Sequence, residues 1–341
     1  MNFSGTDAET YEITLQPSGI SVNAREGQTL LDAIIRGGVQ IPYGCRHGNC
    51  SACKALVLEG DYSHMDRVSE YSLLGFERDE GYVLLCSTLA ESDLTIEVEE
   101  KESDIAFYQV HDFEAEITGN VQTTPDIHVI RMKLLNPTAI PYAAGQYFEF
   151  DIPGLSETRA YSMAAPYFAQ DVIEFHIKRV GQGIGSNYLC SLSAGSRVTG
   201  SGPYGNMRLK TREKDLLFVA GGSGMAPIKA LIEELFSEPF EHEAWFFYGA
   251  RGKQDLYLTE KWAELEREHP NFHFIPALSE KRPDEKWTGE LGYIADAVKR
   301  KMGSMPNTDA YLCGPPKLIE TTIEVITRLG IRGSNIAYDE F

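Results

Sequence analysis

The segment "YGCRHGNCSACK", residues 43–54, places Cys45, Cys50 and Cys53 within nine positions of a 341-residue chain that has six cysteines in all. Cys86, in "VLLCSTLAESD", completes a C-x4-C-x2-C pattern with a fourth thiol 33 residues further on. Such a set ties two separated stretches of chain to one inorganic core, so it limits the possible folds more than any other feature here. Zinc sites usually pair their ligands as two separated C-x2-C knuckles, whereas x4 followed by x2 is the spacing of a 2Fe–2S cluster. Gly44, Gly48, Ser51 and Ala52 fill the run with small side chains. A loop that aims backbone N–H groups at cluster sulfurs requires such residues. His47 and His64 lie near the cysteines in sequence, but four thiolates complete a ligand set, and both imidazoles are expected at the surface.

The acidic balance, 50 Asp+Glu against 31 Lys+Arg for a net of −19, argues against nucleic acid as a main partner, because phosphate contacts need basic patches. The first residues, "MNFSGTDAETYEITLQPSG", lack the basic and apolar regions of a signal peptide. No apolar run approaches the roughly 18–20 residues of a membrane span. A cytoplasmic, non-membrane protein is the expectation, and there stable disulfides would be unusual.

Three segments differ in pattern and charge. Residues 1–104 carry a net charge of −12, residues 105–210 of −1 and residues 211–341 of −6. The first joins strand-like runs ("YEITLQP", "ISVNA", "KALVLEG", "DLTIEVE") to one helical stretch, "TLLDAIIRGG", which suggests a small α+β domain. The charged stretch at 97–109 reads as a linker. In the second segment "DIHVIRMKLL", "GQYFEFDI", "RAYSMAA", "VIEFHIKRV" and "SRVTGSGPYG" predict a small antiparallel barrel. The third alternates strand and helix from "DLLFVAGG" to "KLIETTIEVITRLG", the rhythm of a parallel sheet with crossover helices.

Taken together, residues 1–104 resemble a plant-type 2Fe–2S ferredoxin domain of β-grasp fold. Residues 105–210 resemble an FAD-binding antiparallel barrel, and residues 211–341 a nucleotide-binding α/β domain of the ferredoxin-NADP⁺-reductase type. The whole chain, a multidomain α+β, β and α/β protein, is similar to the NADH-dependent reductase components of bacterial multicomponent oxygenases. The likeness is greatest to those serving soluble diiron monooxygenases of phenol, alkenes or alkanes. "TRAYSMA" (158–164) carries that family's R-x-Y-S flavin signature. Arg159 suits a bidentate clamp on pyrophosphate, Tyr161 suits stacking on the isoalloxazine, and Ser162 suits a hydrogen bond to flavin N5. "GQGIGSNYL" (181–189) contains G-x-x-S in Gly183 to Ser186 and opens a helix, whose N-terminus offers free N–H groups to a pyrophosphate. "GPYG" (202–205) follows.

"LLFVAGGSGMAPIKAL" (216–231) matches the family's G-G-x-G-x-x-P nicotinamide signature, with Gly222 and Gly224 letting the backbone approach a pyrophosphate and Pro227 in the third glycine's place. "CGPP" (313–316) ends a strand at the edge where open parallel sheets bind ligands. The resemblance puts Cys313 near nicotinamide C4 and makes Phe341, the last residue, the aromatic lid over the flavin. Many relatives carry Glu-Lys where this chain has Asp339-Glu340. The resemblance also places Ala160, Ile177, Gly185, Gly221, Met225, Ala226, Gly249, Arg251, Gly314 and Pro315 along the cofactors. No acidic residue directly follows the strand before "GARGKQD", and Arg251 could meet a 2′-phosphate, yet the family likeness favours NADH over NADPH. Cys190 has no motif around it and is expected in the core.

The resemblance implies an enzyme in which NADH gives hydride to FAD, with Tyr161, Ser162, Cys313 and Phe341 shaping that encounter. Electrons then leave one at a time through the cluster to a separate oxygenase component. The protein is expected to be monomeric by itself. Reductases of deoxysugar dehydratases or Rieske dioxygenases share the domain order. A stand-alone flavin reductase would not need the four cysteines.

Overall fold

The computed structural model describes residues 9–44, 46, 48–66, 68–98, 108–155, 157–167 and 172–341. The chain divides into two compact units, Met1–His111 and Asp112–Phe341. Most of the expected linker at 97–109 lies outside the described residues.

In the first unit, β1 (Thr10–Gln16), β2 (Ile20–Arg25), helix α1 (Leu30–Arg36) and β3 (Lys54–Glu59) are followed by β4 (Tyr62–His64), the short α2 (Gly75–Asp79), β5 (Tyr82–Leu84), β6 (Thr88–Ala90) and β7 (Leu94–Glu97). Five strands form one mixed sheet in the order β2-β1-β7-β3-β5, with β1 parallel to β7, while β4 and β6 make a separate ribbon. Alternation along β1 buries Ile13 and Leu15 on one face. Helix α1 starts where the Thr29 hydroxyl accepts a hydrogen bond from the Asp32 N–H at 3.3 Å, and it buries Leu30, Leu31, Ile34 and Ile35. This is the β-grasp arrangement expected of residues 1–104.

The second unit opens with β8 (His111–Gln122), β9 (Ile127–Asn136), β10 (Tyr147–Phe150), β11 (Arg159–Ser162), β12 (Ile173–Lys178), helix α3 (Ile184–Ser191) and β13 (Arg197–Tyr204). Their sheet runs β11-β10-β13-β8-β9-β12, and a bridge between Met163 and Phe175 brings its two ends together into a near-closed barrel. Phe113, Ala115, Ile117, Phe148, Phe150, Phe175 and Ile177 fill the interior.

The chain continues through β14 (Asp215–Gly221), α4 (Met225–Leu235), β15 (Ala244–Ala250), α5 (Thr259–Glu268), β16 (Phe272–Leu278), β17 (Glu290–Leu291), α6 (Ile294–Lys301), β18 (Thr308–Gly314), α7 (Pro316–Arg328) and β19 (Ile336–Glu340). The six strands are parallel in the order β17-β16-β15-β14-β18-β19. Strand order therefore reverses between β14 and β18, and ligands of open α/β sheets bind outside the strand ends at such a switch point. The glycine turn after β14 and "CGPP" after β18 flank this position. β14 and β18 are buried along nearly their whole length, which explains the apolar runs at 216–220 and 310–313.

Candidate active site

The cysteine loop is irregular backbone held by its neighbours. Gly48 takes a left-handed conformation, and so do Arg46 and Ser51, which is uncommon for residues bearing a side chain. The Ser51 hydroxyl donates to the Ser72 carbonyl at 2.7 Å, and the Ser69 N–H donates to the Gly48 carbonyl at 3.2 Å. A Cβ on Gly44 would stand 3.1 Å from Cys50 Sγ, so glycine lets the chain pass close to that sulfur. Cys86 sits in the turn after β5, where the Leu85 N–H donates to the Cys53 carbonyl at 3.0 Å and joins the two cysteine-bearing segments. Cys50 is exposed, and Cys53 and Cys86 are buried. The Cys53 thiol is raised by its hydrogen bond with Cys86 and by burial, with Cys50 adding to the effect, so these three sulfurs share one locus. That donor set fits a cluster ligand set. Cys45 and His47 lie outside the described residues, and His64 is exposed.

Beside this loop, Tyr71, Leu74 and Phe76 stand exposed, Tyr71 to 95%. The segment carrying them is tied to the loop by the Ser51–Ser72 bond and by the Lys54–Glu77 ion pair at 2.6 Å. No motif marks these residues in the sequence, although two aromatics and a leucine amid acidic residues are visible in "EYSLLGFERDE".

The two flavin motifs meet in the barrel. α3 starts beside Arg159, and a Cβ on Gly185 would come within 2.7 Å of Arg159 Cγ. Glycine there lets the helix N-terminus and the guanidinium approach one point, a fit for an anionic pyrophosphate. Arg159 bonds Glu157 and Thr158 through Nη1. The Ser186 hydroxyl accepts from the Val180 N–H at 3.1 Å and donates to the Gly183 carbonyl at 3.3 Å, so it shapes the turn rather than facing outward. Tyr161 packs edge-on against Phe150, and burial pushes its hydroxyl up to about 12. Ala160 and Ser162 flank it on β11, paired with Glu149 and Tyr147 of β10. Ile177 is a packing residue of the barrel core and is closed to solvent, as is Cys190.

At the switch point, a Cβ on Gly224 would collide with the Cys313 carbonyl, so only glycine lets the two nicotinamide motifs touch. Gly222 has φ +57° and no atom within 4 Å of its missing Cβ, leaving an open, donor-bearing turn. Gly221 and Gly314 face each other closely enough that a Cβ on Gly314 would lie 3.3 Å from the Gly221 nitrogen. The first turn of α4, Met225, Ala226 and Pro227, is buried. Burial raises the Cys313 thiol well above its usual range, with Asp339 alongside adding to this. Burial also pushes the Asp339 carboxyl up to about 7. Pro315 caps α7, and the Phe341 N–H donates to the Gly314 carbonyl at 3.4 Å. The terminal ring is 56% exposed at the ligand edge of the sheet.

Further along that edge is Gly249, near the end of β15, with Ile294 against it. Arg251 is held by two carboxylates, Asp126 at 3.2 Å and Asp255 at 3.7 Å, which lessens its capacity to meet a 2′-phosphate. Asp255 accepts the Gly252 N–H at 2.9 Å through Oδ2, while its buried Oδ1 has no hydrogen-bond partner. That oxygen still faces the Arg251 guanidinium at 3.7 Å, so a carboxylate already occupies the side of Arg251 that a 2′-phosphate would need. The acidic residue absent directly after β15 is met five residues beyond the strand, at Asp255.

These cradles define an iron–sulfur flavoprotein oxidoreductase dependent on NADH. The descriptions of three matching family models agree: a 2Fe-2S iron-sulfur cluster binding domain over residues 13–91, an oxidoreductase FAD-binding domain over 114–209 and an oxidoreductase NAD-binding domain over 218–324. The chain is 36% identical over 321 residues to the reductase component DmpP of phenol 2-monooxygenase from Pseudomonas sp. (strain CF600), covering 93% of this chain and 90% of that one. It is 34% identical to the propane 2-monooxygenase reductase component of Mycolicibacterium smegmatis (strain ATCC 700084 / mc(2)155), covering 98% of each. Its structure matches the Amycolatopsis cytochrome P450 reductase GcoB with a TM-score of 0.88 at 28% identity, covering 97% of this chain and 99% of that one. The chain belongs to the family of 2Fe–2S, FAD-containing reductase components of bacterial oxygenases.

Proposed function

We propose that the protein takes electrons from NADH and delivers them singly to the oxygenase component of a multicomponent monooxygenase. The observation that carries this is the joining of two sites in one chain, a nicotinamide–flavin encounter at the β14/β18 switch point and a thiolate exit built on the 43–53 loop. When bound, the flavin and the cluster together turn a two-electron hydride donor into a source of single electrons. The protein's own part is positioning and electrostatics.

Arg159 and the N-terminus of α3 would hold the flavin pyrophosphate, and Tyr161 and Ser162 on β11 would orient its ring. Gly222, Gly224 and Gly314 would admit the nicotinamide nucleotide to the backbone. Cys313, kept as a neutral thiol by burial, presents a soft, uncharged surface to the reacting carbon. Phe341, tethered to Gly314 and exposed at the ligand edge, would serve as a lid over the flavin. Cys45, Cys50, Cys53 and Cys86 hold the cluster. The domains run 1–104, 105–210 and 211–341, and the protein works as a cytoplasmic monomer apart from its partner.

Tyr71, Leu74 and Phe76 beside the cysteine loop, on a segment with net charge −12, suit an acceptor with an apolar seat and a basic rim. Among the described residues no helix is long and apolar enough to cross a membrane. Reconstitution tests the reading: NADH oxidation should couple to product formation when a monooxygenase hydroxylase component is added. NADH oxidation that reduces only free ferric iron or cytochrome, with no coupling to any oxygenase, would overturn it.

A further inference from the structure

A network of ionic groups centred on the buried Lys229 crosses from the barrel to the nucleotide domain within the second unit. Lys229 lies in α4, two residues after the Pro227 of the nicotinamide signature, with its side chain only 8% exposed. Its ammonium donates to the Ala164 carbonyl at 2.7 Å, just past the strand that bears Tyr161 and Ser162. It also stands 3.3 Å from Glu174 on β12 and 3.1 Å from Glu233 on its own helix. Arg131 of β9 pairs with Glu174 at 2.7 Å, and Lys261 of α5 pairs with Glu233 at 2.8 Å.

A second thread runs beside the first. His176 contacts Glu174 through Nε2 at 3.1 Å and Tyr257 Oη through Nδ1 at 3.0 Å. The Tyr257 ring packs edge-on against Tyr248, whose hydroxyl donates to the Gly222 carbonyl at 3.3 Å. Both threads begin on the barrel strands at the flavin motif and end on the helix or turn that opens the nicotinamide site.

Burying an ammonium and carboxylates is unfavourable by several kcal/mol per ion, and apolar replacements are often as stable. Stability alone therefore gives little reason for such a joint, whereas direction does: Lys229 satisfies one carbonyl at one place. We propose that Lys229, with Glu174, is a positioning residue for hydride transfer, fixing the register of the nucleotide turn against the flavin strand. Neither side chain touches the reacting atoms. This rests on the NADH-to-flavin reading above.

The test uses the FAD-loaded full-length protein with Lys229→Met, a change of similar length without charge, mixed anaerobically with NADH. Flavin reduction should slow by about tenfold to a hundredfold, as expected for a misplacement near 1 Å, with FAD content kept and NADH affinity within about twofold. The long-wavelength charge-transfer absorbance, which reports ring stacking, should weaken. Amide hydrogen exchange should quicken in residues 163–165 and 225–229, a readout independent of turnover. Glu174→Gln, which keeps the shape and one acceptor, should show the same pattern to a smaller degree, and it decides the matter if Lys229→Met does not fold. Variants with wild-type flavin reduction, charge-transfer absorbance and exchange would overturn the proposal. A wild type that fails to oxidise NADH would instead overturn the functional reading.

Discussion

The cysteine loop and the nicotinamide turn solve opposite problems. In the first, side chains carry the chemistry and the backbone bends to suit them, through left-handed Arg46, Gly48 and Ser51 in a loop tied down by Ser72 and Ser69. In the second, backbone carries the chemistry and side chains are removed, so that Gly224 can lie against the Cys313 carbonyl at the ends of two buried strands. A thiolate site is defined by which residues are present; a dinucleotide site is defined largely by which atoms are missing. The two regions should therefore fail in different ways.

The sharpest break in that contrast is Cys50→Ser. Removing one thiolate should abolish the cluster's visible and paramagnetic signals, and transfer to one-electron acceptors should fall by about a hundredfold or more, while NADH still reduces the flavin. Stopped-flow absorbance at flavin and cluster wavelengths checks both halves, and loss of flavin reduction as well would erase the separation. Gly224→Ala tests the other region. The added Cβ meets backbone that has no room to yield, so a loss of roughly 1–3 kcal/mol is expected in urea denaturation. NADH-driven flavin reduction should fall with it, and cluster content should stay unchanged.

The fold was largely legible because its period-two and helical patterns agree with their settings. β1 alternates and buries Ile13 and Leu15, and β14 is apolar from Leu216 onward because both faces are covered. The cysteine spacing and the R-x-Y-S and G-G-x-G-x-x-P signatures were legible for the same reason, since each is local in sequence. What could not be read was made by distant contacts. Asp255 looks like an ordinary loop acid until its Oδ1 is found facing Arg251 and its Oδ2 accepting the Gly252 N–H. Arg251 looks available for a phosphate until Asp126, from the loop between β8 and β9, is found against it. His176 on β12 and Lys229 within the apolar "MAPIKALI" are polar residues at core positions, and that mismatch is the available signal.

A smaller effect separates the regions by pH. Burial raises Asp339 to about 7 in the folded protein, so its contribution to stability is fully present below about pH 4 and is lost as pH rises through about 7. Wild type should lose more stability than Asp339→Asn between about pH 5 and pH 8, by roughly 1 kcal/mol or more in denaturant midpoints. Equal losses would show that the carboxyl titrates normally. The smallest effect concerns salt. The net −12 of residues 1–104 should make transfer to a basic acceptor slow several-fold from low to high ionic strength, while flavin reduction within the already formed NADH complex, at saturating NADH, stays flat. Transfer independent of salt would remove steering from the account.

The central claim is that one chain accepts hydride at the nicotinamide turn and releases single electrons at the cysteine loop. Anaerobic titration with NADH, followed by flavin absorbance and by the paramagnetic signal of a reduced cluster, tests it most directly. The account predicts about three electrons taken up per chain, two by the flavin and one by the cluster, and about two in Cys50→Ser. Uptake of two electrons by the wild type, with no cluster signal at any ratio of NADH, would contradict it.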